Sequence, residues 1–157
     1  MGIRVKEMNR HDLLKKVLEF NYNIKDYELL YSKNGKPSLV GKQVYFNLSS
    51  SQKLSAIATS KVAVGICIEH YFYDLEILDT CFNEKEKEII AKSDKKEHDF
   101  TRIYTLKIAY IKMLDFERKY SLVDIDTTQL KNWSTNENKD YFVSVVENKN
   151  VTNEYSK

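Results

Sequence analysis

Leu13, Leu14, Val17 and Leu18 recur at helical spacing behind Asp12, and the pattern predicts an amphipathic helix over residues 5–20 that buries one stripe. Residues 27–31 then read as a strand. Asn34-Gly35 signals a turn because both residues tolerate positive φ, and Pro37, the single proline, fixes the direction in which the chain leaves it. Apolar runs at 44–48 and 54–59, followed by an alternating stretch at 62–69, predict three antiparallel strands. In the last of these Val62, Val64, Ile66 and Ile68 face one way, so Ala63, Gly65, Cys67 and Glu69 share the other face. Asn83 followed three residues later by Glu86 marks a helix start before Ile89 and Ile90, and a longer helical pattern covers 99–120. Residues 141–146 read as a last strand and 148–157 as a polar tail. The order predicts an α+β protein, an antiparallel sheet packed against helices, with one domain over 1–147 ahead of the tail.

Composition narrows what such a fold is for. A chain of 157 residues has the length of one domain with a real core. Its 25 basic and 23 acidic side chains leave a formal charge of +2, so no field steers it to nucleic acid or to a membrane surface, and neither is an expected partner. The first residues lack the apolar stretch of a secretory signal, and no apolar run reaches bilayer length, which points to a cytoplasmic protein. Lys6 stands where an acylation signal beginning at Gly2 needs Ser or Thr. Cys67 and Cys81 have hydrophobic neighbours and read as reduced structural thiols. Cys67, Glu69, His70 and Cys81 are zinc-compatible donor types without the paired spacing of a zinc site, and His11, His70 and His98 are scattered with no triad pattern.

Four segments carry a more specific signal: GKP at 35–37, FNLSSS at 46–51, VGICIE at 64–69 and TLKIAYIK at 105–112. Their order, spacing and placement on strand, loop, strand and helix resemble the surfactin-type members of the 4'-phosphopantetheinyl transferase superfamily. The pattern of that family is GKP, then FN-[IL]-SHS, then GIDIE, then W-x-x-KEA-x-x-K, whose tryptophan is Thr105 here, and the resemblance spans about residues 4–112. It implies a fold of two similar α+β halves, here with an incomplete first half. The activity it implies is transfer of the phosphopantetheine arm of coenzyme A to a serine of an acyl or peptidyl carrier protein, with magnesium and the coenzyme between the halves. Lys36 and Pro37 match residues that hold the nucleotide end of coenzyme A, and Ser49 and Ser50 lie in the segment beside it. Arg4 falls near a phosphate-binding arginine, and Lys107 and Lys112 match the two lysines of the helical motif, the second near the pyrophosphate. Charged nitrogen donors suit phosphate oxygens because each bond is charge-assisted. Glu69 and Cys67 occupy metal positions, and Glu69 and Lys112 are the catalytic candidates.

The departures from the pattern bear on the chemistry. Cys67 replaces an aspartate that binds the metal, Ile108 replaces a glutamate that binds it and serves as base, and Ser50 replaces a phosphate-contacting histidine. Magnesium prefers oxygen donors. Losing two of three carboxylates removes transition-state charge stabilisation of several kcal/mol. Two readings follow: a weakened transferase, or an inactive relative that binds coenzyme A, a carrier protein or another partner. Beside them stand plainer roles. Cys67 and Ile108 fill core space, Glu69 is a solvated strand-end carboxylate, the three lysines are surface residues, and Tyr71, Phe72 and Tyr73 belong to the core. An incomplete first half leaves sheet edge uncovered, so a homo-oligomer or a partner chain is expected.

Overall fold

A computed structural model describes residues 1–115 and 121–149. The predicted helical turn at 116–120 and residues 150–157 of the polar tail lie outside the described residues. Strand β1 (Gly2–Lys6) pairs antiparallel with β5 (Leu54–Ser60), Gly2 opposite Thr59 and Lys6 opposite Ser55. The helix expected from residue 5 therefore begins later, as α1 (Arg10–Tyr22). Asn9 sets that boundary, because its side chain accepts the backbone N–H of Asp12 at 2.8 Å and satisfies a donor of the first turn. Upstream of it Ile3 and Val5 alternate, which suits a strand with one packed face.

The predicted turn joins β2 (Leu29–Tyr31) to β3 (Pro37–Leu39), with Gly35 at φ 85°. β4 (Tyr45–Ser51) and β5 form a second hairpin through Gln52, and β6 (Val64–His70) follows. The three consecutive strands do not share one sheet. One sheet has the order β1-β5-β4, whereas β6 pairs with β8 (Tyr141–Glu147), which also carries β7 (Trp133–Glu137), in the order β6-β8-β7. Between β6 and β8 come α2 (Leu75–Cys81), α3 (Glu84–Lys92) and α4 (Lys96–Leu114). Asn83 and Glu86 close a reciprocal capping box on α3.

Apolar faces stack these elements in the order α1, first sheet, second sheet, α4. Leu13, Leu14, Val17 and Leu18 of α1 pack on Phe46 and Ile57. Ala56 and Ala58, on the other face of β5, meet Val64, Ile66 and Ile68 of β6 with Val143 and Val145 of β8. The opposite face of the second sheet gives Cys67 and Val146 to Leu106, Ala109 and Met113 of α4. Each fully buried aliphatic side chain stabilises this stack by about 1.5–3 kcal/mol. Phe82, Ile90, Phe100 and Ile103 form a further buried cluster beneath α2 and α3; the half-buried Phe72 packs against it, whereas Tyr73, expected in the core, is exposed.

Side chains, rather than a backbone ladder, join β4 to β6. Alternation puts Asn47, Ser49 and Ser51 on the inner face of β4. There Asn47 Oδ1 accepts the N–H of Ile66 at 2.9 Å, and Ser49 Oγ and Ser51 Oγ accept those of Ile68 and His70, each at 3.1 Å. A buried strand edge is thereby satisfied without pairing. On the helical side, α4 lies so close to β6 that a Cβ on Gly65 would sit 1.9 Å from the carbonyl oxygen of Ala109 and 2.5 Å from the amide nitrogen of Met113. Glycine there sets how near the helix comes, and with it the position of Lys112 one turn on from Ala109.

Candidate functional site

A cleft of about 620 Å³ opens between the first turn of α1, the β2–β3 hairpin, β4 and the end of α4. Arg10, His11, Lys36 and Lys112 bring basic groups to it, Asp115 supplies a carboxylate, and Leu14, Leu29, Tyr31, Pro37, Leu48 and Ile111 form apolar wall. Lys112 Nζ donates to the carbonyls of Leu48 at 2.6 Å and Ile66 at 2.8 Å, across the seam between β4 and β6. Lys36 Nζ donates to the carbonyls of Val64 at 3.0 Å and Met113 at 3.4 Å. An ammonium has three N–H donors, so two carbonyls leave each lysine one donor for a ligand. Burial lowers the pKa of Lys36 to about 8, against an opposing pull from Asp115. Burial, then Arg10 and Lys36, lower that of Lys112 to about 8, against an opposing effect of Cys67. Cations crowded into a partly dry cleft, with one carboxylate among them, favour an anionic guest.

Of the residues singled out in the sequence, the structure brings Lys36, Pro37 and Lys112 together in this cleft. Arg4 stays apart, because β1 is separated from β4 by β5 and its side chain is exposed to solvent. Ser49 is buried in the seam, and Ser50, on the opposite face of β4, meets Ser55 Oγ at 3.3 Å. Lys107 belongs to a different environment altogether. Its ammonium contacts Glu86 Oε1 at 2.6 Å and the carbonyls of Leu122 and Ile125 at 2.7 Å each, with no exposure to solvent. The cleft also contains Arg10, His11 and Asn47, which the sequence reading did not assign. The cap at Asn9 was the available signal for Arg10 and His11, since it places them at the start of a helix.

Cys67 and Glu69 lie on the face of β6 turned toward α4. Burial pushes the Cys67 thiol up to about 12, so at neutral pH it is a protonated, apolar filler, and Ile108 packs against its cluster. Cys67 and Cys81 are both free. Glu69 is half-buried, and desolvation raises its pKa while Ser51 and His70 oppose that shift. Ser51 Oγ lies 3.5 Å from Glu69 Oε2 and 2.8 Å from His70 Nδ1. A magnesium ion needs several hard oxygen ligands, and this position offers one carboxylate, a protonated thiol and an isoleucine. Among the described residues no three His, Cys, Asp or Glu side chains converge to hold a metal ion. The donor set does not fit magnesium.

Among the described residues no helix is long and apolar enough to cross a membrane. The family model for the 4'-phosphopantetheinyl transferase superfamily matches residues 63–154, more than half of the chain. No curated protein matches it.

Proposed function

We propose, because the chain belongs to the 4'-phosphopantetheinyl transferase superfamily, that its cleft holds the phosphorylated nucleotide end of coenzyme A and that metal-assisted transfer has been lost. One observation carries this reading. The basic cleft keeps Arg10, Lys36 and Lys112 around a cavity of about 620 Å³, whereas the neighbouring metal position is closed by a buried thiol and Ile108. Phosphate oxygens accept charge-assisted hydrogen bonds worth about 1.5–3 kcal/mol each, and the apolar wall suits a purine ring. Binding in this reading needs no metal. Transfer would need charge stabilisation at the pyrophosphate that two missing carboxylates no longer organise.

Titration calorimetry with coenzyme A, 3',5'-ADP and pantetheine tests the binding. Coenzyme A and 3',5'-ADP are expected to bind with similar affinity in EDTA and pantetheine not at all; no heat from either nucleotide overturns the reading. Intact mass of apo acyl and peptidyl carrier proteins, incubated with the chain, coenzyme A and magnesium or manganese, tests the loss of transfer. Unchanged carrier is expected, and a phosphopantetheine mass gain overturns it. The double variant Cys67→Asp, Ile108→Glu is expected to restore a divalent-ion requirement, seen as a melting temperature that rises on adding magnesium.

A second reading, slow transfer to a carrier serine with Glu69 as base, is favoured by the raised pKa of that carboxyl beside Ser51 and His70. A mass gain that persists in EDTA and disappears in Glu69→Gln selects it. The acyl or peptidyl carrier protein is the proposed partner in either case. Self-association through the outer edges of β1 and β7 is a further proposal, which light scattering at micromolar concentration decides.

A further inference from the structure

Asp115 ends α4 in a left-handed conformation, φ 54°, its N–H still bonded to the carbonyl of Ile111 at 2.9 Å. From there it grips the β2–β3 turn twice. Asp115 Oδ1 accepts Ser32 Oγ at 3.0 Å, and the Asp115 carbonyl accepts Asn34 Nδ2 at 2.7 Å. Ser32 passes the grip on, because its Oγ accepts the backbone N–H of Lys36 at 3.0 Å while its carbonyl accepts that of Gly35 at 2.9 Å and its own N–H donates to the Lys36 carbonyl at 2.9 Å. The turn bearing Lys36 is thus tied to the helix bearing Lys112, from opposite sides of one cleft. Among the described residues Asp115 is also the lone carboxylate that lines the cleft. The other charged or titratable groups facing Lys36 there are Arg10 and His11 from α1, Tyr31 from β2 and Lys112 from α4.

We propose that Asp115 is a positioning residue of the anion cleft: through Ser32 and Asn34 it fixes the turn that presents Lys36, and as a carboxylate lining the same cleft it supplies a countercharge, without direct contact, that favours the protonated ammonium before a ligand arrives. The proposal rests on the reading of the cleft as a coenzyme A site. Removing the carboxylate charge withdraws the interaction that opposes the burial of Lys36. The lysine then loses its proton at a lower pH, and the ligand meets a turn that is less well placed.

The test compares the full-length wild type with Asp115→Asn, Asp115→Glu and Ser32→Ala, each first shown to unfold cooperatively. Binding of 3',5'-ADP is measured by calorimetry at pH 6.5, 7.5 and 8.5, and the Lys36 side chain is titrated by NMR in the free protein. With the lysine midpoint displaced downward by about one pH unit, Asp115→Asn is expected to weaken binding about threefold at pH 7.5, about eightfold at pH 8.5 and hardly at pH 6.5. Asp115→Glu recovers part of the loss. Ser32→Ala weakens binding equally at every pH, since it removes the tether and keeps the charge. A merely structural role would make Asp115→Asn behave like Ser32→Ala, and that result overturns the proposal. If the wild type binds no nucleotide, the coenzyme A reading fails by itself, and the ligand-free Lys36 titration still decides this one: a midpoint unmoved in Asp115→Asn overturns it and a lowered midpoint supports it.

Discussion

Lys107 Nζ lies 2.6 Å from Glu86 Oε1, and neither side chain reaches solvent. Two carbonyls complete the ammonium, and Glu86 Oε2 accepts both the N–H of Thr127, at 3.1 Å, and its hydroxyl. The pair therefore pins α3, α4 and the segment from Leu122 to Thr127 to one another. Breaking such a pair strands a buried charge. Lys107→Met is expected to cost about 3–5 kcal/mol, and the double variant Lys107→Met, Glu86→Leu less than that, as read from urea unfolding midpoints.

Gly65→Ala places a methyl group against backbone that has no side chain to swing aside. Ordinary overpacking costs about 1–3 kcal/mol, and this site is expected at or beyond the upper end. A variant that still folds has α4 displaced from β6. Because Lys112 moves with the helix, nucleotide binding is expected to weaken by more than tenfold. Calorimetry together with thermal unfolding checks both effects.

Asn47→Ala removes the acceptor for the buried N–H of Ile66. A buried donor left without a partner costs about 1–3 kcal/mol. Hydrogen exchange is expected to accelerate at the Ile66 amide, which points to β4, more than at Gly65, whose N–H by alternation turns toward β8. Equal acceleration at both would mean that the seam does not hold this edge.

Lys36 and Lys112 titrate near pH 8, below their ordinary value of 10.5, chiefly because both are buried. Between about pH 8 and 10.5 the unfolded chain carries more protons at these positions than the folded one, so their contribution makes folding more favourable as pH rises. Anion binding needs the charged form and runs the other way. From pH 7.5 to 9.5, nucleotide affinity is expected to fall by up to tenfold per pH unit for each lysine while the urea midpoint does not fall with it. Lys36→Met removes part of both trends.

Much of this architecture is visible in local pattern. The hairpin turn at Asn34-Gly35, the alternation of β6, the capping box at Asn83 and the strand at Tyr141 all rest on nearest-neighbour chemistry, and each appears at or near its expected place. Strand β1 was hidden because Val5 and Met8 extend the helical spacing of α1 backwards past a cap whose meaning lies in one hydrogen bond. β7 was hidden because Trp133–Glu137 is largely exposed and polar, so only its pairing with β8 makes it a strand. The departure of β6 to a second sheet depends on a partner more than seventy residues away. The site divides along the same line. Lys36, Pro37 and Lys112 could be named from motif resemblance, whereas the use of Lys107 as a core cation depends on Glu86, and Asp115 becomes visible only when the turn folds back onto α4.

Because hydroxyl and amide side chains, not peptide groups, bridge β4 and β6, this junction is the natural parting line of the molecule: each sheet keeps its own backbone pairing if the two come apart. The cleft straddles that line, with the carbonyls of Leu48 and Ile66 held by a single lysine. A guest that holds Lys112 in its charged form would act as a rivet, so ligand occupancy and slow opening of the two halves should be read in the same exchange experiment.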